Sequence, residues 1–540
     1  MSNATRYRSL VPETTIRGIL LPAMVSALLL LVVYPAQAQT ERLLYSFAGS
    51  PDGVAPYSRL TADSSGNFYG TTTEGGANGG GSVFELSPEA PSGCPSGSSQ
   101  GSGWCETALY SFCSVASCAD GYDPEFAYVT FDSQGNLYST TEYGGANGHG
   151  TSNGYGTVFE LSPEPLGGCP QGSNPGNGWC ETVLLNFAGN SDAQNPVNGL
   201  VWDQSGNLYG TSYGGCSNWP PPNNEGCVYQ LSPNGSGGWT EQPICGLDAN
   251  YSGLVIDASG DLYLTSYDGA FKLSLAGGVW TLTNIHAFTG SPDGSSPEGT
   301  PAVDSAGNVY GTTYQGGSMN YGTVWKLTPV TTGKKKGTYT EKILHSFTSY
   351  KTGVGPWAGV TLDASGNIYG TTLGGGEYGS WGTVFELALS GTTYKDKLLW
   401  SFNIRDGGFY PWVNPILDSA GNLYGTTSGG GADGYGVVYE VTPSGTPATT
   451  TTTLTSSPNP STSGETVIFT AVVTPAPFDG ETITFEHGKT VLGTGTLSGG
   501  SATFGTSALP VGTTTVNAVY GGDGDFDAST SNKVKQVVKE

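Results

Sequence analysis

The sequence predicts an all-β protein: a seven-bladed β-propeller of four-stranded blades, its first strand closing the last blade, followed by a small β-sandwich. Three observations predict this. The pattern Asp-x-x-Gly-Asn-x-Tyr-Gly-Thr-Thr starts at Asp63 and recurs from Asp132, Asp203, Asp257, Asp304, Asp363 and Asp418, 47 to 71 residues apart. A periodic array of this kind overrides any domain count based on length. Around each copy lie four short apolar runs with strand-like alternation, bounded by Gly, Pro, Asn or Asp. The 540 residues include 86 Gly with no G-X-Y period, which excludes collagen, and 36% hydrophobic with 11% aromatic residues, which excludes a disordered chain.

Residues 1–38 read as a signal peptide. Arg6, Arg8 and Arg17 precede or open an apolar run at 18–34, and Ala36-Gln37-Ala38 supplies the small-x-small cleavage pattern. The run is shorter than the roughly 20 residues of a spanning helix and Pro22 interrupts it. With no second run of membrane length, the expectation is a chain without a membrane span after cleavage, secreted or held at the cell surface. The formal charge of −25 repels phosphate backbones, which argues against nucleic-acid partners.

Nine cysteines fit an oxidising compartment. Cys94-Pro-Ser-Gly-Ser through Gly103-Trp104-Cys105-Glu106 and Cys169-Pro-Gln-Gly-Ser through Gly178-Trp179-Cys180-Glu181 are near copies, each reading as a hairpin loop closed by a disulfide. The expected pairs are Cys94 with Cys105, Cys169 with Cys180, Cys113 with Cys118 and Cys216 with Cys227, leaving Cys245 odd. Sequence alone does not fix this connectivity. A zinc site is the rival, but no paired CxxC or clustered His accompanies these cysteines.

The propeller is expected over 39–443. In the third unit the strands fall at 199–202, 207–211, 227–231 and 240–245, the four antiparallel strands of a blade. The motif Asp accepts backbone N–H groups in the turn between the first two strands, and the motif Gly takes positive φ there. The following Tyr (Tyr69, Tyr138, Tyr209, Tyr263, Tyr310, Tyr369 and Tyr424) reads as core. The next residue is Gly except at Ser139 and Leu264, so large and small residues alternate where blades pack. Residues 41–47 match the fourth strands at 106–112, 341–347 and 396–402, while the last unit stops after its third strand at 437–441. Closure by the first strand removes two sheet edges. The third-strand acids Glu85, Glu160, Glu386 and Glu440 become Gln230, Lys272 and Lys326 in other units, which reads as a solvated outer position.

The units, with Gly-Asn-x-Tyr-Gly-Thr-Thr, a Gly-Gly loop and then Gly382-Thr-Val-Phe-Glu-Leu387, resemble the Gloeo-Verruco (GloVer) tandem repeat of bacterial surface and secreted proteins. The resemblance covers about 400 residues and implies an extracellular propeller-like array without implying any chemistry. The fourth unit departs most, with Asp261 for Asn and Leu264 for Gly.

A Thr-rich linker is expected at 444–451 and a second domain at 452–540. Its strands, together with Ser507-Ala-Leu-Pro-Val-Gly512 and Tyr520-Gly-Gly-Asp-Gly-Asp-Phe526, resemble bacterial Ig-like repeats. That resemblance implies an Ig-like β-sandwich serving as a spacer, without the Cys and Trp of antibody domains. Asp523, Asp525 and Asp527 alternate in a Gly-rich loop and offer oxygens to Ca²⁺, although the downstream bidentate Glu of an EF-hand is absent. No other cofactor is expected.

In such blades the loops entering the first strand and those between the second and third share one face. They carry Asp52, Asp120, Asp293 and Asp406, the rings of Tyr57, Phe126, Trp357, Tyr410 and Trp412, and Tyr143, Trp219, Tyr321, Tyr378, Trp381 and Tyr435. Flat rings cover the apolar C–H faces of sugars and Asp or Asn accepts from their hydroxyls. The expected function is therefore extracellular binding or adhesion. The ligand residues, for a glycan or a surface protein, are Tyr57, Phe126, Trp219, Trp357, Trp381, Tyr410, Trp412, Asp52, Asp293 and Asp406. In the rival reading the Asp residues only build turns and the rings only cover loop cores. Two further alternatives stand. One is a polysaccharide-active hydrolase or lyase using carboxylates among Glu74, Glu142, Glu377 and the loop Asp residues; the other is a purely structural surface protein. His149, His286, His345 and His487 share no motif, and no triad or phosphate-loop pattern assigns a reaction. The oligomeric state is left open.

Overall fold

A computed structural model describes residues 40–540 except 148–153, 190–191, 217–225, 236, 247–251, 268, 405–406, 444–448, 475–481, 498–499 and 523–526. The signal-peptide segment, Trp219, Asp406, Asp523 and Asp525 lie outside the described residues. Among those described the protein is all-β, with one three-residue 3₁₀ turn at Ala116–Cys118, and no helix is long and apolar enough to cross a membrane.

Each repeat forms its own antiparallel sheet. In the third, Ala193–Trp202, Leu208–Gly215, Cys227–Pro233 and Trp239–Gly246 pair in chain order. Seven such sheets follow one another, and none closes on itself as a barrel. In the seventh, the fourth place beside Val437–Thr442 is taken by Thr40–Ser46, which pairs antiparallel from Thr40 opposite Thr442 to Ser46 opposite Val437. The strand's apolar side buries Leu44, Tyr45 and nearby Phe47 with Phe84 and Val438, so it belongs to the core on both sides of the join.

The repeated motif explains why each sheet forms. Asp418 Oδ1 accepts from the N–H groups of Ala420 and Asn422, and its Oδ2 accepts from Asn422 Nδ2 and from Tyr424 Oη at 3.2 Å. The motif Asp binds the Tyr hydroxyl in the same way in all seven units. One carboxylate thus fixes the turn and the first residues of the next strand. Opposite the residue after the Tyr stands the aromatic residue of the third strand, as in Gly370 with Phe385 and Gly425 with Tyr439. A Cβ on Gly370 would lie 2.6 Å from Phe385 Cζ, so at this position the ring would have to shift to admit a side chain; in the second unit the small Ser139 is accepted opposite a fully buried Phe159. In the fourth unit Leu264 faces Phe271, and there the ring is pushed to a half-buried position while Phe385 and Tyr439 are fully buried.

Neighbouring sheets are tied by a relay of threonines. Thr71 donates to Pro124 and Ala127 carbonyls, Thr140 to Asn198, Thr211 to Ser252, Thr265 to Gly299, Thr312 to Ala358 and Thr371 to Val413. Thr426 then donates to Ser58 in the first unit, 2.9 Å away. A second tie is steric. Pro124, Pro196, Pro356 and Pro411 each pack over a glycine of the preceding unit, and Pro56 packs over Gly436 of the last one.

The four expected disulfides form. Within the two duplicated loops, Ser99–Gln100 and Asn174–Pro175 add a short fifth strand to their sheets. Ser102 and Asn177 then donate to Leu44 and Leu109 carbonyls, covering the outer strand of the preceding sheet. The third-strand acids depart from expectation. Glu386 is 8% exposed, and Glu85 and Glu440 accept from the hydroxyls of Tyr69 and Tyr424. The cross-strand Tyr reaches over and draws these carboxylates in; Lys326, at the same station, instead sits 4.9 Å above the ring of Tyr310.

The C-terminal part is a separate β-sandwich core. Thr451–Ser457, Val467–Thr474 and Ser501–Thr506 form one sheet. The other contains Thr482–His487, Thr490–Thr496, Gly512–Tyr520 and Val534–Lys539. Strict alternation along Val467–Thr474 sends Val467, Phe469, Ala471 and Val473 inward against Phe485, Val516 and Ala518.

Candidate functional site

In six of the seven units the loop that enters the sheet carries a Pro, and the residue after it marks a common position. Tyr57, Glu125, Val197, Glu298, Trp357 and Trp412 occupy this one sequence position in six units. Four of the expected aromatic ligands gather here. Tyr57 stands 5.5 Å from Phe126 and 5.9 Å from Trp412, and Trp412 stands 5.6 Å from Trp357, which leans on Tyr314 at 5.4 Å. The spacings are those of tilted and edge-on aromatic packing. Trp412 Nε1 donates to Ser428 Oγ at 3.1 Å, which fixes the indole plane.

Beside these rings opens a cleft of about 500 Å³ lined by Tyr314, Tyr321, Tyr350, Tyr410 and Trp412, with Gln315, Asn320 and Ser380 as polar groups. Tyr410 is 37% exposed, and its N–H donates to the Trp381 carbonyl. Trp381 packs on Phe409 and Tyr410 and is shared with the core, so it supports the wall and exposes little of itself. Below the rings, a cavity of about 30 Å³ is bordered by Arg59, Asn198, Glu298, Thr300 and Asn414.

Carboxylates lie on the other flank of the rings. Burial pushes Asp123 up to about 7, with Glu142 and Glu74 adding to the effect. Glu125 rises to about 8 through burial and its contact with Glu142, and burial raises Glu142 as well. The same acids surround Tyr57, whose hydroxyl is raised mainly by burial. Asp123 and Phe126 both adopt positive φ, at 59° and 53°, so this turn holds its acids and ring in a strained backbone. Glu298 is 4% exposed, its Oε2 accepts no hydrogen bond, and burial pushes it up to about 7.

The loop aspartates occupy a different place. Asp52 accepts from Ala48 N–H, Gly53 N–H and Tyr45 Oη at 2.6 to 2.9 Å, so both oxygens are engaged within their own loop and the adjoining strand. Asp120 does the same with Tyr110 and Ser114. At the corresponding place Asp293 stands 3.3 Å from His286 Nε2, which is 3.6 Å from Glu341 Oε1 of the next sheet. Asp527 belongs to the C-terminal domain, where its backbone carbonyl accepts from Thr450.

Sequence reasoning missed Glu125, Glu298 and Tyr314. The first two share the post-proline position of Tyr57, Trp357 and Trp412, and aligning that column would have found them. Tyr314 directly follows the Gly-Thr-Thr of its motif and carries no signal of its own.

Residues 303–471 match the Gloeobacter/Verrucomicrobia repeat and residues 454–539 the bacterial Ig-like domain of group 3. The chain carries both modules. No curated protein matches it. Among solved structures it is similar to the extracellular domain of the putative hybrid two component system BT4673 from B. thetaiotaomicron, at 11% identity and TM-score 0.41, covering 93% of this chain and 59% of that one. The chain therefore spans less than two thirds of that relative. It is also similar to polysaccharide lyase Uly1, at 10% identity and TM-score 0.40 over 75% of this chain and 93% of that one. A Dyadobacter fermentans protein of unknown function aligns at 10% identity and TM-score 0.31, over 74% and 98% of the respective chains. The rings and cleft described above belong in part to the Gloeobacter/Verrucomicrobia segment, which supplies Tyr314, Tyr350, Trp357, Tyr410 and Trp412.

Proposed function

We propose that the seven sheets are the blades of a closed propeller and that the protein is a secreted or surface-held bacterial carbohydrate-binding protein, with the Ig-like domain as its spacer. The observation that carries the binding reading is the convergence of Tyr57, Phe126, Trp357 and Trp412 beside a cleft whose walls are Tyr314, Tyr321, Tyr350 and Tyr410. Stacked rings present flat apolar area to the C–H faces of a sugar, and Gln315, Asn320 and Ser380 at the cleft offer hydrogen bonds to its hydroxyls. The cleft lies in the 300–1,000 Å³ range of small-ligand sites. The acids on its flank and the charge of −25 favour a neutral or amino-substituted glycan over an acidic one. Four disulfides suit an extracellular setting.

The test is titration calorimetry of the full chain against soluble β-glucan, xylan, mannan and chitosan oligosaccharides, repeated with Trp412→Ala and Tyr410→Ala. Binding of at least one class, weakened tenfold or more by each substitution, is the expected result. No binding across the panel, or binding indifferent to both changes, overturns it.

One observation favours a second reading as a polysaccharide-active enzyme. Burial and the neighbouring Glu142 raise Glu125 to about 8, and burial raises Glu142 and Asp123 beside it. A carboxylic acid kept protonated near neutral pH is what a general acid requires. Release of new reducing ends or unsaturated products from the same polysaccharides, abolished by Glu142→Gln, would establish this reading. Tight binding with no product would exclude it for the polysaccharides tested.

A further inference from the structure

His286 lies at the end of the strand Val279–Ala287 in the fourth sheet, and Glu341 on the strand Tyr339–Ser346 in the fifth. Asp293 comes from the loop between the fourth and fifth units. The repeat provides an internal comparison. At the station of His286 the last and first sheets carry Tyr45 and Tyr110, whose hydroxyls donate to Asp52 and Asp120, with Glu106 and Glu181 standing behind. A phenol satisfies one carboxylate by donating its proton. An imidazole between two carboxyl groups is satisfied when it is charged, when the two carboxyls share a proton, or when a cation sits among the three.

The distances fit the last of these cases. His286 Nε2 is 3.3 Å from Asp293 Oδ1 and 3.6 Å from Glu341 Oε1, and one donor atom from each residue lies within 4.8 Å of the others. Donor atoms about 2.0–2.2 Å from a tetrahedral Zn²⁺ stand about 3.3–3.6 Å from one another. Glu341 Oε1 is buried and accepts no N–H or O–H hydrogen bond, and its carboxyl stands against that of Asp293, a like-charge contact that a cation between them neutralises. Asp293 is oriented from behind, its Oδ2 accepting from the N–H and Oγ1 of Thr289 at 2.9 and 3.0 Å; such outer contacts are the usual support of a ligating carboxylate. His286 keeps about 20% of its side chain exposed, which leaves a path for the ion and a position for water.

We propose that His286 Nε2, Asp293 Oδ1 and Glu341 Oε1 form a three-ligand site for a divalent transition-metal ion of the Zn²⁺ class, joining the fourth and fifth sheets. A dication neutralises the two carboxylates, and one imidazole with two carboxylates is a donor set suited to Zn²⁺. His345, one sheet further on, faces Asp396 alone at 3.7 Å, because Thr352 stands where the loop carboxylate would be. It forms no equivalent site.

The experiment is titration of the chelator-treated full chain with Co²⁺, read by its visible absorption, and with Zn²⁺, read by calorimetry and thermal melting. One ion per chain, with the absorption of four- or five-coordinate Co²⁺ and a rise in melting temperature with Zn²⁺, is expected. His286→Tyr, which installs the residue found at the Tyr45 and Tyr110 stations, should weaken binding at least tenfold, and His345→Tyr should leave it unchanged. Thr289→Val, which leaves all three ligands in place, should weaken it by about tenfold and guards against misfolding of the first variant. Absence of stoichiometric uptake, or affinity unchanged in both His286→Tyr and Thr289→Val, overturns the site.

Discussion

Thr426 Oγ1 donates to the carbonyl oxygen of Ser58, 2.9 Å away and 368 residues earlier in the chain. The bond repeats, between the last unit and the first, what Thr71 makes toward Ala127 and Thr371 toward Val413 between consecutive units. Together with the pairing of Thr40–Ser46 on Val437–Thr442, it joins the ends of the array at two depths.

Deleting residues 40–47 therefore removes more than an edge strand. Leu44, Tyr45 and Phe47 are buried against both the first and the seventh units, and burying each side chain is worth about 1.5–3 kcal/mol. The sum is comparable with the whole stability of about 5–15 kcal/mol typical of a domain. The truncated protein should lose its cooperative melt in circular dichroism; an unchanged melting temperature would mean that the first strand is not needed for stability.

Gly370 is a sharper probe of sheet packing. Its replacement by Ala drives a Cβ into the ring of Phe385, and overpacking of this kind costs about 1–3 kcal/mol. Urea denaturation should show a lowered midpoint with an unchanged slope. The fourth unit already displays the other solution, in which Leu264 is accepted because Phe271 swings outward.

Buried acids at the outer strands give the protein a pH dependence. Burial pushes Glu106 and Glu181 up to about 8, with Asp52 and Asp120 adding to it, and one oxygen of each accepts no hydrogen bond. In the unfolded chain a Glu titrates near 4.3. Between these values the folded state holds protons that the unfolded state has lost, so stability falls as pH rises from about 4.3 toward about 8 and levels off above it. Glu106→Gln and Glu181→Gln should flatten that slope and stabilise the protein at pH 8, by about 1 kcal/mol or more each. Urea melts at pH 5, 6, 7 and 8 test this; equal slopes in wild type and variants would contradict it.

What could be read from the sequence follows from how local the physics is. The Asp, Gly, Asn and Tyr of the motif act within seven residues, as Asp418 and Tyr424 do, so repetition exposed them. The loop disulfides were legible because Cys94 to Cys105 and Cys169 to Cys180 are copies closed at both ends. Glu386 was misread as solvated because alternation along a strand names its face but not the Tyr369 hydroxyl that approaches from the neighbouring strand. Asp52 and Asp293 share a sequence signature, yet one meets Tyr45 and the other His286, a difference set by a residue on another strand. Trp357 and Trp412 were chosen for ring type, and their mutual distance of 5.6 Å depends on how neighbouring units stack, which no single repeat encodes.

The fourth unit offers a paired exchange that isolates one interaction. Every other motif carries Asn before the strand residue preceding its Tyr, and there the side-chain amide donates to the motif Asp, as Asn422 does to Asp418. Asp261 cannot donate, and it instead pairs with Lys272 Nζ at 2.6 Å, while that ammonium lies 5.3 Å from the centre of the Tyr263 ring. Lys272 stands where Glu85 and Glu440 stand in other units, so the two changes compensate each other. Lys272→Glu alone should destabilise by about 1 kcal/mol or more, because it sets a carboxylate against Asp261 and Asp257 in a half-buried place. Asp261→Asn together with Lys272→Glu installs the arrangement of the first, second, sixth and seventh units, with Asn donating to Asp257 and Tyr263 donating to the new Glu. A double-mutant cycle should then return a favourable coupling of about 0.5–3 kcal/mol. Additive single changes would mean that the fourth unit's departures are independent.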